Sequence, residues 1–248
     1  MPTSLSVFLD FLRILAASVI TLGHLSTTGF TYGYLPDAAW SHFALIMFFV
    51  ISGFCVAYTR SEKHPTLAHY AVARFSRVYS ILIPALALTA ILYFIGSFIN
   101  PAHYAKFSSS SEPWAMVLTA FNLQEMWFTA AAPLSNSAVW TLSYLFWFYV
   151  LYGVMTYLKG AVKFAWMGLI IFWMGPKVLL LLPCWLVGMM CYYVQPFIQW
   201  GRSNAAVVLM MSITLLIGFS HFIPPLPGAF GEGYLRYSNA FATDIIQS

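Results

Sequence analysis

Long stretches without a charged residue constrain this chain more than any other feature. Ala44–Ala57 and Ile81–Phe98 contain no charge. Only 7% of the chain is charged, whereas a soluble domain has about a quarter of its residues charged. A chain with so few charges fits the bilayer as its solvent, and its spans must then be helices or a closed barrel. The unbroken apolar runs lack the alternation of barrel strands and therefore predict helices.

A helix needs roughly 20 apolar residues to cross the bilayer. The chain therefore predicts an all-α bundle of 7–8 transmembrane helices in a single domain covering residues 1–248. The predicted spans lie near 7–27, 40–59, 78–98, 138–158, 162–175, 178–197 and 204–223, and an eighth begins near 235. Because the last span begins so close to Ser248, we expect the domain to be incomplete at its C-terminus.

The basic residues predict the orientation. With the N-terminus in the cytoplasm, eight of the eleven basic residues fall inside, many of them in a loop at 60–77, as the positive-inside rule requires. The other three, Lys106, Lys177 and Arg236, fall in outer segments. The net charge of +4 is spread among the loops and predicts no nucleic-acid partner. The outer segment 99–137 has aromatic residues between polar ones, and we expect it to lie along the membrane surface or to cap an outward cavity.

The first predicted helix carries three ionisable residues, Asp10, Arg13 and His24. Arg13 and His24 are eleven positions apart, which places them on one face, about 16 Å apart along the axis. Asp10 lies one turn before Arg13 and can pair with it. Ionisable groups in a span usually face the protein interior, so this face is a candidate pathway across the membrane. The alternative is that Arg13 reaches the cytoplasmic headgroups and His24 the outer interface.

Two further motifs follow in the chain. In the second span, Ser52 and Gly53 favour close helix packing, with Ser52 as a possible cavity-lining residue. Arg74 and Arg77 are three apart, so on a helix they point the same way and suit a phosphate-bearing ligand. Anionic lipid headgroups, or topology alone, explain the arginine pair equally well.

The fourth span begins with Trp140, Ser143 and Tyr144 among many aromatic residues. Ser143 and Tyr144 can line a cavity, with Trp140 at the outer interface, or the segment is an aromatic belt. The three cysteines are interpreted as small apolar fillers, and we expect no metal site.

These motifs occur together and in order. The chain resembles the membrane acyltransferase-3 family of bacterial O-acyltransferases over roughly residues 5–240. The resemblance rests on four features: Arg13-x10-His24, the FFVISGF segment at 48–54, the Arg74-x-x-Arg77 pair and the VWTLSYLFWFY segment at 139–149.

The resemblance implies a multi-pass protein of the bacterial cytoplasmic membrane. It implies that His24 and Arg13 are catalytic and that Arg74 and Arg77 bind the acyl donor. The donor would be a cytoplasmic acyl-CoA, in most members acetyl-CoA, used as a substrate and not as a bound cofactor. The acceptor would be a hydroxyl of a cell-surface glycan or a related molecule. A histidine can act there as a general base or can carry the acyl group.

One position departs from the family pattern. Where the family has a glutamate three residues after the leucine of the tryptophan segment, this chain has Leu145. This keeps a second interpretation open: a non-catalytic member that binds a donor, a lipid or a partner protein. A third is transport of a proton or small solute along the polar face of the first helix, although the sequence has neither an inverted repeat nor paired broken helices.

Overall fold

The structure is a computed structural model, and it is entirely helical over the residues it describes, which confirms the all-α class. Those residues are 3–27, 38–63, 66–104, 112–127, 129–134 and 136–194. The predicted spans at 204–223 and from 235, and the end of that at 178–197, lie outside them. Within this part of the chain, four stretches are long and apolar enough to cross a membrane: Leu5–Leu25, Phe43–Arg60, Leu67–Ile99 and Gly160–Val194.

The helices follow the predicted order, with three differences described below. They are α1 (Thr3–Thr27), α2 (Ala38–Lys63), α3 (Leu67–Ile99), α4 (Pro101–Tyr104), α5 (Glu112–Ala120), α6 (Trp140–Tyr157) and α7 (Gly160–Val194), with a 3₁₀ turn at Ser137–Val139 before α6. The predicted first, second and fourth spans match α1, α2 and α6 within a few residues.

The start of α3 corrects the predicted loop at 60–77, most of which is helical. Thr66 caps α3: its side chain accepts a hydrogen bond from the His69 backbone N–H. This cap is the usual start signal of a helix, and it begins α3 eleven residues before the predicted span. At 33 residues, α3 is about 50 Å long and exceeds the thickness of the bilayer core. The arginine pair therefore lies on a helix and not in a loop.

The helices form two compact units. One contains the described residues up to Thr59 and those from Pro183 onward, and the other contains Arg60–Leu182. In the first unit, α2 packs closely against the last turns of α7. A Cβ atom on Gly53 would overlap the carbonyl oxygen of Trp185, and one on Gly188 would overlap that of Val50. Glycine at both positions lets the two backbones touch.

The packed segments of the first unit also meet through aromatic rings. Phe54 on α2 makes an edge contact with Tyr192 on α7, with ring centroids 5.9 Å apart.

In the second unit, α3 and α6 are antiparallel. Near the start of α3, the Tyr70 hydroxyl donates to the carbonyl of Tyr149 at 2.9 Å, in the middle of α6. Near the other end, the Asn136 side chain, just before α6, donates to the Thr89 hydroxyl at 2.8 Å. Connected spans that cross a membrane in alternation require this arrangement.

The segment after α5 turns inward along α3. The Asn122 side chain reaches the Tyr79 hydroxyl at 3.4 Å, and Tyr79 lies twenty residues, about 30 Å, before Ile99 along the helix. The carbonyl of Asn122 accepts from Ser143 and Trp147, each at 2.8 Å, within the first two turns of α6. We call residues 121–134 the re-entrant segment. The segment therefore packs against α3 and α6, whereas the sequence predicted for 99–137 a place along the membrane surface or a cap over an outward cavity.

The fifth and sixth predicted spans form one helical element, α7, interrupted at Gly175. This residue has φ 70° and ψ 172°, a left-handed conformation that glycine adopts without strain. Pro176 follows and lacks the N–H that would bond the carbonyl of Phe172. The Trp127 indole N–H donates to that carbonyl at 2.6 Å instead. The predicted boundary near 175–178 is thus a break inside α7.

We predict that Gly53→Ala destabilises the first unit, because its methyl group would push α2 away from Trp185. The expected loss is about 1–3 kcal/mol of unfolding free energy, typical of overpacking. Thermal unfolding of the purified protein in detergent measures it.

The matched control is Gly168→Ala, since a Cβ atom at Gly168 meets nothing within 4 Å. A mid-helix alanine there should leave stability unchanged or raise it slightly. Equal destabilisation by both substitutions would contradict the close-packing explanation.

Candidate functional site

The first unit contains the two predicted catalytic residues on one regular helix, α1. Arg13 donates to the Asp10 carboxylate at 2.8 Å, so the predicted pairing is present. Its other terminal nitrogen donates to the sulfur of Cys55 on α2 at 2.8 Å. Arg13 therefore points toward α2, and Cys55 acts as a hydrogen-bond acceptor as well as a small apolar side chain.

His24 lies in the last turn of α1 and its side chain is exposed. Because α1 is continuous from Thr3 to Thr27, the eleven-residue spacing places His24 on the same face as Arg13, about 16 Å along the axis. The polar face predicted from the sequence is therefore present on α1.

Ser52 lies at the packed contact of α2 with α7. It is buried, and its hydroxyl accepts a hydrogen bond from the Trp185 indole N–H at 3.4 Å. Together with the close approach at Gly53, this contact accounts for the Ser-Gly pair by helix packing.

The second unit contains the predicted donor-binding arginines, and the two differ in burial. Arg74 is buried, and its guanidinium lies over the rings of Tyr70 and Tyr149, 5.7 Å from each centroid. Arg77 is exposed. The two side chains are 60° apart around α3, and only that of Arg74 falls under α6.

A third arginine, which the sequence analysis assigned only to topology, joins Arg74 at this end of the unit. Arg60, at the end of the α2 span, lies 5.8 Å from the ring centroid of Tyr157 at the end of α6. The Tyr157 ring lies 5.5 Å from that of Tyr70. The sequence signal for this arrangement is the pair of tyrosines at 149 and 157, which lie eight residues apart on α6 and were not considered in the sequence analysis.

The predicted cavity residues of α6 lie where the re-entrant segment packs. Trp140 and Tyr144 are buried and make an edge contact with centroids 5.0 Å apart. Ser143 is fully buried and donates to the carbonyl of Asn122. Leu145 is buried too, 7% exposed. The start of α6 thus anchors the re-entrant segment.

The re-entrant segment also carries a buried ion pair that sequence reasoning missed. Lys177, just after the break in α7, pairs with Glu125 at 3.4 Å, with side chains 0% and 1% exposed. The lysine also donates to the carbonyl of Thr129. The partners are 52 residues apart, and the only signal was one uncompensated charge in each apolar region. Lys177 was predicted to be an outer-loop charge; it is buried in the second unit.

Two amide side chains lie beside this pair in the sequence of the re-entrant segment. Asn122 and Gln124 are both fully buried, and Gln124 donates to the carbonyl of Val139 at 3.3 Å. Among the described residues, the side-chain oxygens of these two amides have no hydrogen-bond partner. The interior of the second unit beside the start of α6 is therefore polar.

The fold and the polar groups define a class: a multi-helix membrane protein with ionisable residues arranged along its helices. Comparison with protein families narrows this class to one family. Residues 6–243 match the family described as "Acyltransferase domain", acyltransferase-3. The match covers nearly the whole chain, so the chain belongs to this family, as the resemblance predicted. Comparisons with curated proteins and with solved structures give no match.

We predict that Lys177→Met destabilises the protein by about 3–5 kcal/mol, because it leaves the Glu125 carboxylate buried without its counter-charge. Adding Glu125→Gln removes the second charge and should recover most of the loss. Thermal unfolding in detergent compares the two variants.

Lys163→Met serves as the control, since Lys163 lies on α7 and is only half-buried. It should unfold at the parent temperature. If the double variant were no more stable than Lys177→Met alone, the ion pair would not be the source of the loss.

Proposed function

We propose that the protein is an O-acyltransferase of a bacterial cytoplasmic membrane. It transfers an acyl group, acetyl in the simplest case, from cytoplasmic acyl-CoA to a hydroxyl of a cell-surface glycan or a related acceptor. The observation that carries the proposal is the family match over residues 6–243, which establishes a general acyltransferase class. To this general class we add, as part of the proposal, the identity of the donor, of the acyl group and of the acceptor.

His24 is the residue we assign to the chemistry. As a general base it takes the proton of the acceptor hydroxyl while the oxygen attacks the thioester carbonyl, and the CoA thiol leaves. As an acyl carrier its ring nitrogen attacks the thioester carbonyl and the C–S bond breaks to release the CoA thiolate. The acceptor hydroxyl then attacks the acyl group and displaces the imidazole, and its proton ends on the CoA thiolate. Both routes need an imidazole that titrates near neutral pH. The exposed position of His24 on α1 supports access by a substrate.

Arg13 is assigned to the same reaction on the donor side of the polar face. Its bonds to Asp10 and Cys55 fix the direction of the guanidinium, and its distance of about 16 Å from His24 along the axis keeps it away from the charge that develops at His24. The polar face from Arg13 to His24 supports a path along α1 between donor and acceptor sides.

A second candidate function follows from Leu145. Its buried apolar side chain occupies the position where the resemblance implies a glutamate. A member without that carboxylate can bind the donor, a lipid or a partner protein without transferring the acyl group. Such a protein would bind acyl-CoA in membranes and give no acylated product.

We predict that His24→Ala lowers acyl transfer from labelled acetyl-CoA in membranes by at least about 10²-fold, the usual contribution of a general base. Protein levels should not change, because the side chain is exposed. His69→Ala, which replaces an exposed histidine beside the cap of α3, is the control.

Transfer by the His24 variant at the parent rate would remove His24 from the mechanism. Parent membranes that bind acetyl-CoA without product would favour the second candidate.

We also predict that Arg74→Lys combined with Arg77→Ala weakens acyl-CoA binding about tenfold or more, since a lysine cannot bind phosphate in the bidentate mode of arginine. Keeping a cation at 74 preserves the contact with the tyrosine rings. Unchanged affinity for acyl-CoA would leave the pair only a role in topology.

A further inference from the structure

At one end of the second unit, arginine and tyrosine side chains are arranged in a row. Neighbouring groups along the row are separated by 5.5–5.8 Å. We call it the arginine–tyrosine row, and its members in order are Arg60, Tyr157, Tyr70, Arg74 and Tyr149. It brings together the end of α2, the start of α3 and the end of α6.

The row has an exposed end and a buried end. Arg60 is exposed and Tyr157 is half-buried, whereas Tyr70 and Arg74 are 2% and 7% exposed. Tyr70 is held by its hydrogen bond to the Tyr149 carbonyl, and its ring also contacts that of Tyr152 at 5.9 Å. The row therefore connects an exposed cation at the surface of the unit with a buried cation, and the hydrogen bond of Tyr70 fixes its middle.

A ring-bound guanidinium is suited to binding phosphate. A tyrosine face attracts the cation without neutralising it, unlike a carboxylate. The N–H groups at the edge of the guanidinium plane then match the oxygens of a phosphate in the bidentate mode. Among the described side chains, no carboxylate pairs with Arg60. Two ring-bound guanidinium groups, one exposed and one buried, suit a ligand with more than one phosphate.

We propose that Arg60 is a donor-binding residue, and that with Arg74 it binds the phosphates of the nucleotide part of a CoA thioester. This inference rests on the proposed function and adds to it a residue outside the Arg74-x-x-Arg77 pair. Tyr157 holds Arg60 in place at the entrance, and Arg74 receives the ligand deeper in the row.

Anionic lipid headgroups share the chemistry of a nucleotide phosphate, and Arg60 ends a candidate membrane span where such headgroups lie. The two sources differ in what competes for the site. A nucleotide site binds CoA in a bilayer of zwitterionic lipid alone. A lipid site is occupied only when phosphatidylglycerol is added to that bilayer.

The test measures binding to the full chain in phosphatidylcholine nanodiscs by titration calorimetry. The probes are CoA and pantetheine, which lacks the phosphates. We expect Arg60→Ala to weaken CoA binding about tenfold and to leave pantetheine binding unchanged. Arg60→Lys should give an intermediate affinity. The control is Lys159→Ala, which removes an exposed positive charge two residues beyond Tyr157 and should bind CoA as the parent does.

Three results would overturn the proposal. The Arg60→Ala and Lys159→Ala variants could bind CoA with equal affinity. Arg60→Ala could lose affinity for pantetheine and for CoA to the same extent, which would indicate a structural role. It could instead change only the effect of phosphatidylglycerol, which would indicate a lipid site. In each case the parent still binds CoA and the proposed function stands. A parent that bound no CoA would overturn the proposed donor as well.

Discussion

The break in α7 depends on a hydrogen bond from another part of the chain. Pro176 leaves the Phe172 carbonyl without its helical donor, and in a membrane no water replaces the donor. The Trp127 indole supplies the missing N–H, and the Lys177 ammonium, one residue after the proline, is neutralised by Glu125. Both partners come from the re-entrant segment. The break and the segment therefore require each other, because either alone would expose polar groups to an apolar environment.

This interdependence also explains what could be predicted from sequence. The extent of α1 and α2 and the Asp10–Arg13 pair follow from apolar length and helical spacing, which are local properties. The early start of α3 was missed because a single capping residue, Thr66, outweighs the polarity of the turns after it. The Lys177–Glu125 pair was missed because its partners are distant in sequence, and no local pattern links them.

The arginine pair shows a finer limit of sequence reasoning. A spacing of three puts Arg74 and Arg77 on neighbouring positions of a helix, and this is correct. It does not say where the edge of the packed face lies. The edge is set by α6, which covers Arg74 with Tyr149 and leaves Arg77 exposed. The tertiary contact therefore decides which of two equivalent residues enters the interior.

The packing of α6 also bears on Leu145, which lies where the resemblance implies a glutamate. The start of α6 contacts the re-entrant segment through Ser143 and Trp147, both of which bond the carbonyl of Asn122. The second unit thus has a buried carboxylate, that of Glu125, on the segment that packs against this part of α6. It is bound to a lysine, so its charge is compensated locally. A missing glutamate at 145 therefore does not leave the unit without a buried carboxylate, although it changes the helix that carries it.

The second unit makes buried charge tolerable in two ways. Lys177 is balanced by a carboxylate, and the pair presents no net charge to a ligand. The guanidinium of Arg74 lies over two aromatic rings, which stabilise the cation through their faces. A phosphate-bearing molecule is attracted to a ring-bound cation more than to a closed ion pair. This difference is why we propose the arginine–tyrosine row, and not the buried ion pair, as the place where an anionic donor binds.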